Sequence, residues 1–394
     1  MSEFKSSSFR NEDNSGAPDI VGVTTFTSPY YFVPPSGTTA QRPSGDGLAP
    51  GMLRFNTDIG RLEVWRGDHW GIILGESPNL GISTAAAPAS SGTGARGLIA
   101  GGQTAPAGTV TNTIEYVSIS SLGNSIDFGD LITGHACFAP TGNTSSSTRG
   151  IFMGGGTPTR LNIIDFVTFS STGDAIDFGD LITSRSELGG CSNSTRGISL
   201  GGSPGSGVIN AIEYVTIAST GDAKDFGDLT ETKEQLSGCS SSVRGLVGGG
   251  SNPANTSRIE FITISTLGDA ARFGDLTVAR NSPGACSNAV RALFGGGRSA
   301  STSNENTIDF ITIASTGNAQ DFGDLTQGRG IIMSAFSSST RGIWAGGYIA
   351  PATGRVNTMD YVTIMTTGNA VDFGDLTSTS RSIVATCSNA HGGL

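Results

Sequence analysis

Three features of the sequence predict an all-β fold: a six-bladed β-propeller closed by the C-terminal strand, with a small N-terminal β-rich attachment region ahead of it. The phrase Phe-Gly-Asp-Leu occurs six times, beginning at Phe128, Phe178, Phe226, Phe273, Phe322 and Phe373. A marker residue (Arg96, Arg149, Arg196, Arg244, Arg291, Arg341 and finally His391) returns at intervals of roughly 50 residues, the length of a four-stranded blade. Glycine supplies 59 of 394 residues, about twice the usual share, as many tight turns and close backbone contacts require.

Composition narrows the class further. Charged residues make up 14% of the chain, well below the usual ~25%, yet each repeat carries dense β-branched and aromatic runs, which argues against disorder. The net charge of −10 disfavours nucleic acid, whose affinity comes from phosphate neutralisation by Lys and Arg. No run of 18 apolar residues exists, so no membrane insertion is expected, and the polar start Met1–Lys5 reads as no secretory signal. Of five cysteines, Cys191, Cys239 and Cys286 share one repeat position, Cys387 nearly shares it, Cys137 does not, and the fifth repeat has Ala335 or Phe336 there. Equivalent points in neighbouring blades exceed the ~7 Å that a disulfide tolerates, so these are read as small buried hydrophobes. No CxxC occurs, and no zinc site is expected.

In chain order, residues 1–50 form an arm and linker. The polar start gives way to a β segment, Ile20–Phe26, and the aromatic cluster Tyr30-Tyr31-Phe32. So much apolar area in a short segment points to docking on a partner; Phe26, Tyr30, Tyr31 and Phe32, with Trp65 and Trp70 further on, are the predicted docking residues. Residues 51–76 read as a β-meander with turns at Asn56–Gly60 and Arg66-Gly67-Asp68. Three short strands bury little by themselves, so this module is expected to lean on a neighbour. Residues 77–95 are a small-residue linker, and residues 96–394 are the propeller.

Within one repeat the four strands are a small, thin one (Leu188–Ser192), then Gly197–Gly202, then the longest, Ile209–Ala218, and after a Gly221-Asp222 turn the strand holding Phe-Gly-Asp. The thin strand belongs nearest the axis, where blades crowd. The six phenylalanines of the phrase are then inter-blade anchors. Residues 381–391 form a spare innermost strand, and the repeat that begins at Arg96 lacks one, so the tail is expected to complete that first sheet and leave few open edges.

Charges recur once per repeat. An acid sits on the third strand (Glu115, Asp165, Glu213, Glu260, Asp309, Asp360), a second follows Phe-Gly (Asp130, Asp180, Asp228, Asp275, Asp324, Asp375), and a basic residue follows that (His135, Arg185, Lys233, Arg280, Arg329, Arg381). An active centre needs one asymmetric cluster, so a sixfold pattern reads as latches between blades. The Asp-x-Gly-Asp turns offer hard ligands for calcium, but six to eight converging oxygens are not evident, and neither metal nor cofactor is expected. His69, His135 and His391 are scattered, and no Gly-x-Ser-x-Gly elbow, P-loop or HExxH stands out. The chain is therefore read as non-enzymatic, although a carboxylate pair for glycoside cleavage is a spatial matter that spacing does not decide. Recognition would lie in the loops whose lengths vary (103–111, 138–143, 204–208, 298–306, 348–355), with Trp344 and Tyr348 as the aromatic candidates for stacking on a sugar.

Two resemblances complete the reading. The double glycine after the second strand (Gly101-Gly102, Gly154-Gly155-Gly156, Gly201-Gly202, Gly248-Gly249-Gly250, Gly295-Gly296-Gly297, Gly346-Gly347) resembles the kelch repeat across 96–394, without its usual Tyr…Trp pair. Thr38-Thr39-Ala40-Gln41-Arg42-Pro43, followed by Gly51-Met52-Leu53-Arg54-Phe55-Asn56-Thr57-Asp58 and the Leu62-Glu63-Val64-Trp65…Trp70 hairpin, is similar to a short module widespread in bacteriophage tail-fibre and other virion structural proteins. That likeness implies a virion-located structural protein, a tail-fibre or appendage component. It would be partnered by other virion proteins and by copies of itself (a homo-oligomer), with recognition of a host-surface glycan or receptor by the propeller loops as a further step. The alternatives are a cellular kelch-like interaction module and a propeller glycosidase.

Overall fold

The computed structural model describes residues 35–44, 48–72, 94–105, 109–134, 144–156, 158–330, 334–350, 354–377 and 380–394. The chain divides into two compact units, residues 1–81 and 82–394. Both are built from small sheets, and no α-helix occurs among the described residues.

In the first unit, Ser36–Gly37, Leu53–Asn56, Arg61–Trp65 and Trp70–Ile72 lie side by side in that order, the first pair parallel and the others antiparallel. The hairpin turn is fixed by Asn56, whose Oδ1 accepts the Asp58 N–H at 3.0 Å. A single 3-10 turn, Thr39–Gln41, is held by the Thr38 N–H donating to Gln41 Oε1 at 2.9 Å.

The second unit is all-β and propeller-like, with six antiparallel repeat sheets. Sheet one runs Ala385–Ser388, Arg96–Ala100, Thr113–Ser118, Ile126–Asp130, so the last strand of the chain does pair with the first of the repeats. Sheet two has Arg149–Met153, Ile163–Thr168 and Ile176–Asp180; on its inner side only a Ser145–Gly150 bridge is described. Sheets three to six begin at Gly189, Ser237, Gly284 and Ser334, each with four strands in the same order. The third strand is shorter than the sequence suggests, Ala211–Thr216 in sheet three.

The Phe-Gly-Asp phrase is a β-bulge. Ile114 faces Gly129 while Glu115 faces Asp127, so Phe128 is the unpaired extra residue, and the slip recurs in every sheet. The bulge turns the phenylalanine into the seam with the next sheet. Phe128 is 2% exposed, meets Tyr116 edge-on with ring centroids 6.0 Å apart, and packs with Val167, Phe169 and Ala175 of sheet two. Equivalent clusters join each later pair of sheets, and Phe373 of sheet six packs with Val117 and Ile119 of sheet one.

Only glycine fits after that phenylalanine. Gly129 has φ 150°, and a Cβ there would lie 2.3 Å from the Gly173 carbonyl of the next sheet's turn. The close approach lets the Gly173 N–H donate to Phe128 O at 2.7 Å and the Asp130 N–H donate to Asp174 Oδ1 at 3.0 Å. The edge strand of each sheet is thereby covered by its neighbour. The same set joins sheet six to sheet one: the Gly123 N–H donates to Phe373 O at 2.9 Å and the Asp375 N–H to Asn124 Oδ1 at 3.0 Å.

At the inner strands six serines form a head-to-tail series. Ser145 Oγ donates to Ser388 O (2.7 Å), Ser192 to Ser145 O (2.8 Å), Ser240 to Ser192 O (2.6 Å), Ser287 to Ser240 O (2.7 Å), Ser337 to Ser287 O (2.7 Å) and Ser388 to Ser337 O (2.6 Å). The residue before each packs sideways: Cys191, Cys286 and Cys387 lie 2.6–2.7 Å from where a Cβ on Gly245, Gly342 and Gly150 would be, and Phe336 takes the corresponding place against Gly97. Cys191, Cys239, Cys286 and Cys387 are buried free thiols, and burial pushes the Cys191 thiol up to about 12.

Candidate functional site

In the first unit Arg42, Arg54, Asn56 and Glu63 converge. Glu63, fully buried, accepts from Arg42, from Arg54 Nη1 at 3.4 Å and from Asn56 Nδ2 at 3.0 Å, while Arg54 Nη2 also donates to Thr38 O at 3.0 Å. The bond from Arg42 holds the Glu63 carboxyl below its ordinary value. Asp58 Oδ2 accepts the Thr39 N–H at 2.8 Å. Trp70 Nε1 donates to Pro43 O at 3.0 Å, its ring lies 5.6 Å from that of Trp65, and the Arg54 guanidinium sits 5.8 Å from the Trp70 centroid. Of the predicted docking residues, Trp65 and Trp70 are thus half-buried and engaged within their own sheet. Phe26, Tyr30, Tyr31 and Phe32 lie outside the described residues.

In the second unit the repeated charges meet at the seams. The basic residue leaving one sheet pairs with the third-strand acid of the next: Arg185–Glu213 at 3.3 Å, Lys233–Glu260 at 2.6 Å, Arg280–Asp309 at 2.9 Å, Arg329–Asp360, and Arg381–Glu115 at 2.6 Å. All ten side chains are buried. The acid after Phe-Gly takes no part in these pairs; its backbone N–H meets the neighbouring turn instead. The marker arginine does a third task. Arg196 lies 4.9 Å over Tyr214 and donates to Ile264 O of the next sheet at 2.8 Å, and Arg341 of sheet six does the same over Tyr361 to Ile119 O of sheet one.

One seam differs. Asp165 is 1% exposed, and neither carboxylate oxygen has a hydrogen-bond partner among the described residues. The Ile132 backbone N–H lowers its pKa without making a full hydrogen bond, Asp177 stands across from it, and burial raises the group to about 6. Its counterpart in sequence, His135, lies outside the described residues.

The aromatic loop candidates separate. Trp344 is fully buried, with Nε1 donating to Gly284 O at 3.0 Å, so no ring face is left for a sugar and the stacking expectation is corrected. It lies on the second strand of sheet six, in the sheet and not in a loop. Tyr348 is half-buried on a two-residue strand paired with Gly354–Arg355. The titratable cluster that spacing did not reveal is Glu187 with Glu234: burial, then the neighbouring Glu234 carboxylate, raise Glu187 to about 7. Gln235 Nε2 donates to Glu187 at 3.0 Å, and Arg160 lies nearby. No group of three metal-ligating side chains occurs among the described residues.

At the inner strands the tail fills the space beside the serines. The Gly392 N–H donates to Ser287 O at 3.0 Å. The Gly393 N–H donates to His391 Nδ1 at 3.0 Å, which assigns the ring proton to Nε2, 3.3 Å from Ser145 O. Full burial lowers His391 to about 4. No protein-family model matches the chain, and no curated protein matches its sequence.

Proposed function

We propose that the chain is a non-enzymatic structural protein of a bacteriophage particle, a tail-fibre or appendage component, whose first 75 residues attach it and whose repeats close as a six-bladed kelch-like propeller. The observation that carries the attachment reading is the convergence of Arg42, Arg54, Asn56, Asp58, Glu63 and Trp70. These are the residues that make the segment similar to the fibre-type module, and they build one hydrogen-bonded cluster. The six-bladed reading is supported by three kinds of contact (turn to bulge, serine to serine, and basic residue to acid) that recur from sheet to sheet and from sheet six to sheet one.

Five of the recurring basic–acidic pairs lie buried between sheets, an arrangement that favours rigid architecture over a reaction centre. Deleting residues 1–75 tests the attachment reading: the shortened chain should still fold and should no longer enter particles. Incorporation at the native level would reject it. A host-surface glycan is the ligand class for the propeller loops, and a glycan array on the full chain that stays blank would reject that step alone.

A further inference from the structure

The first unit buries its polar residues and exposes its apolar ones. Along Leu53–Asn56 and Arg61–Trp65 the side chains alternate. Arg54, Asn56 and Glu63 point to the covered side, while Leu53 and Phe55, paired across the strands with Val64 and Leu62, point to the other. Leu53 is 43% exposed, Phe55 37%, and Met52 and Ile59 at the ends of this face 42% and 41%. A sheet of this size gains its stability from a covered apolar face, and among the described residues nothing covers this one.

We propose that this face, Met52, Leu53, Phe55, Ile59, Leu62 and Val64, is where a second copy of the chain packs. The inference deepens the attachment reading, on which it rests for the expectation that copies assemble. Charge selects a copy over another occupant. Residues 35–72 carry four arginines (42, 54, 61, 66) and four carboxylates (46, 58, 63, 68), whereas the whole chain has a net charge of −10. Here two copies meet without the like-charge repulsion they would feel elsewhere. The rim is also mixed in sign at both ends, with Asp58 and Arg61 at one hairpin and Arg66 and Asp68 at the other, all exposed. A face-to-face copy related by a twofold axis can set arginine against aspartate at either end. A partner of single-signed charge would oppose one member of each pair.

The test is sedimentation of the full native chain and of a Leu53→Ser, Phe55→Ser variant at micromolar concentration. The native chain is expected as a dimer or larger, and the variant as monomer, with association weakened at least tenfold. Because both side chains lie in the first unit and are exposed in the single chain, the melting of the repeat sheets in the variant should match that in the native chain. A second variant keeps the face apolar: Leu53→Cys in the full chain, treated with a short bismaleimide, should give a covalent dimer that the native chain does not give. A native monomer overturns the inference, including one whose face is covered by its own residues 20–32. So does an oligomer that the double substitution leaves intact. Particle incorporation is scored separately, so association in solution without incorporation would sink the attachment reading and leave this one standing.

Discussion

The seam between sheets one and two and the five other seams share the contacts of the bulge, the turn and the inner serines, and differ at the buried acid of the third strand. Each has the bulged phenylalanine, the turn bonded across the gap and the serine bridge. Five add a buried ion pair; the sixth holds Asp165 alone among the described residues. The comparison sets the ion pairs against the apolar packing as the source of adhesion between adjacent sheets. A buried pair roughly offsets its own desolvation, whereas apolar packing is a net gain, so a seam can lose the pair and stay closed.

The comparison breaks most easily at the phenylalanines. Phe226→Ala, in a seam with an ion pair, and Phe128→Ala, in the seam without one, should each cost about 3–5 kcal/mol in denaturant melts. A much smaller loss at Phe226 would mean that the ion pair does hold that seam. Next is Arg280→Met, which leaves Asp309 buried without its cation and should cost about 3 kcal/mol or more. At the odd seam the reverse is expected: Asp165→Asn removes a buried charge that has no partner among the described residues and should stabilise the protein at pH 7.

The pH dependence sharpens the same point. Asp165 has a folded pKa of about 6 against an ordinary 3.8, so the folded state holds the extra proton and stability falls as pH rises through that window. His391 is lowered from 6.5 to about 4, so the unfolded state holds the extra proton and stability rises over nearly the same range. Each amounts to about 3 kcal/mol, and they oppose each other. Subtracting the native curve from that of Asp165→Asn should give a difference that climbs from about pH 4 to 6. Subtracting it from His391→Asn should give one that falls from about pH 4 to 6.5. Parallel curves would refute either assignment. The smallest effect belongs to the residue two places after the latch cation, which adopts a left-handed conformation in Glu187, Gln235, Ser282 and Ile383. Ser282→Gly should relieve strain but loosen the unfolded chain, leaving a net change of a few tenths of a kcal/mol.

The repeat made much of this legible. Six phenylalanines at one register predict a shared environment, and their burial follows from alternation around the bulge. The terminal strand was readable because Ala385–Ser388 resembles the thin strands and the Arg96 repeat has none before it. Trp344 neighbours a loop of variable length, yet its register, three after Arg341, is that of Phe294 and Val247 and so predicts burial. The serine series left a signal that went unused, a serine four residues before Arg149, Arg196, Arg244, Arg291 and Arg341. In the first unit, alternation located both faces but not which would be covered. That depends on where residues 38–43 cross the sheet, and Arg42 and Thr38 bring a polar network to the Glu63 side.

The pairing of Ala385–Ser388 with Gly97–Ala100 bears on how the molecule comes into being. Nearly the whole repeat array is synthesised between these two strands, so the earliest sheet waits on the ribosome for its partner while later sheets emerge already able to form. Contacts of such long range make for slow maturation. Until that strand is made, the unfinished edge stands open to other nascent chains, a hazard that grows with the rate of synthesis.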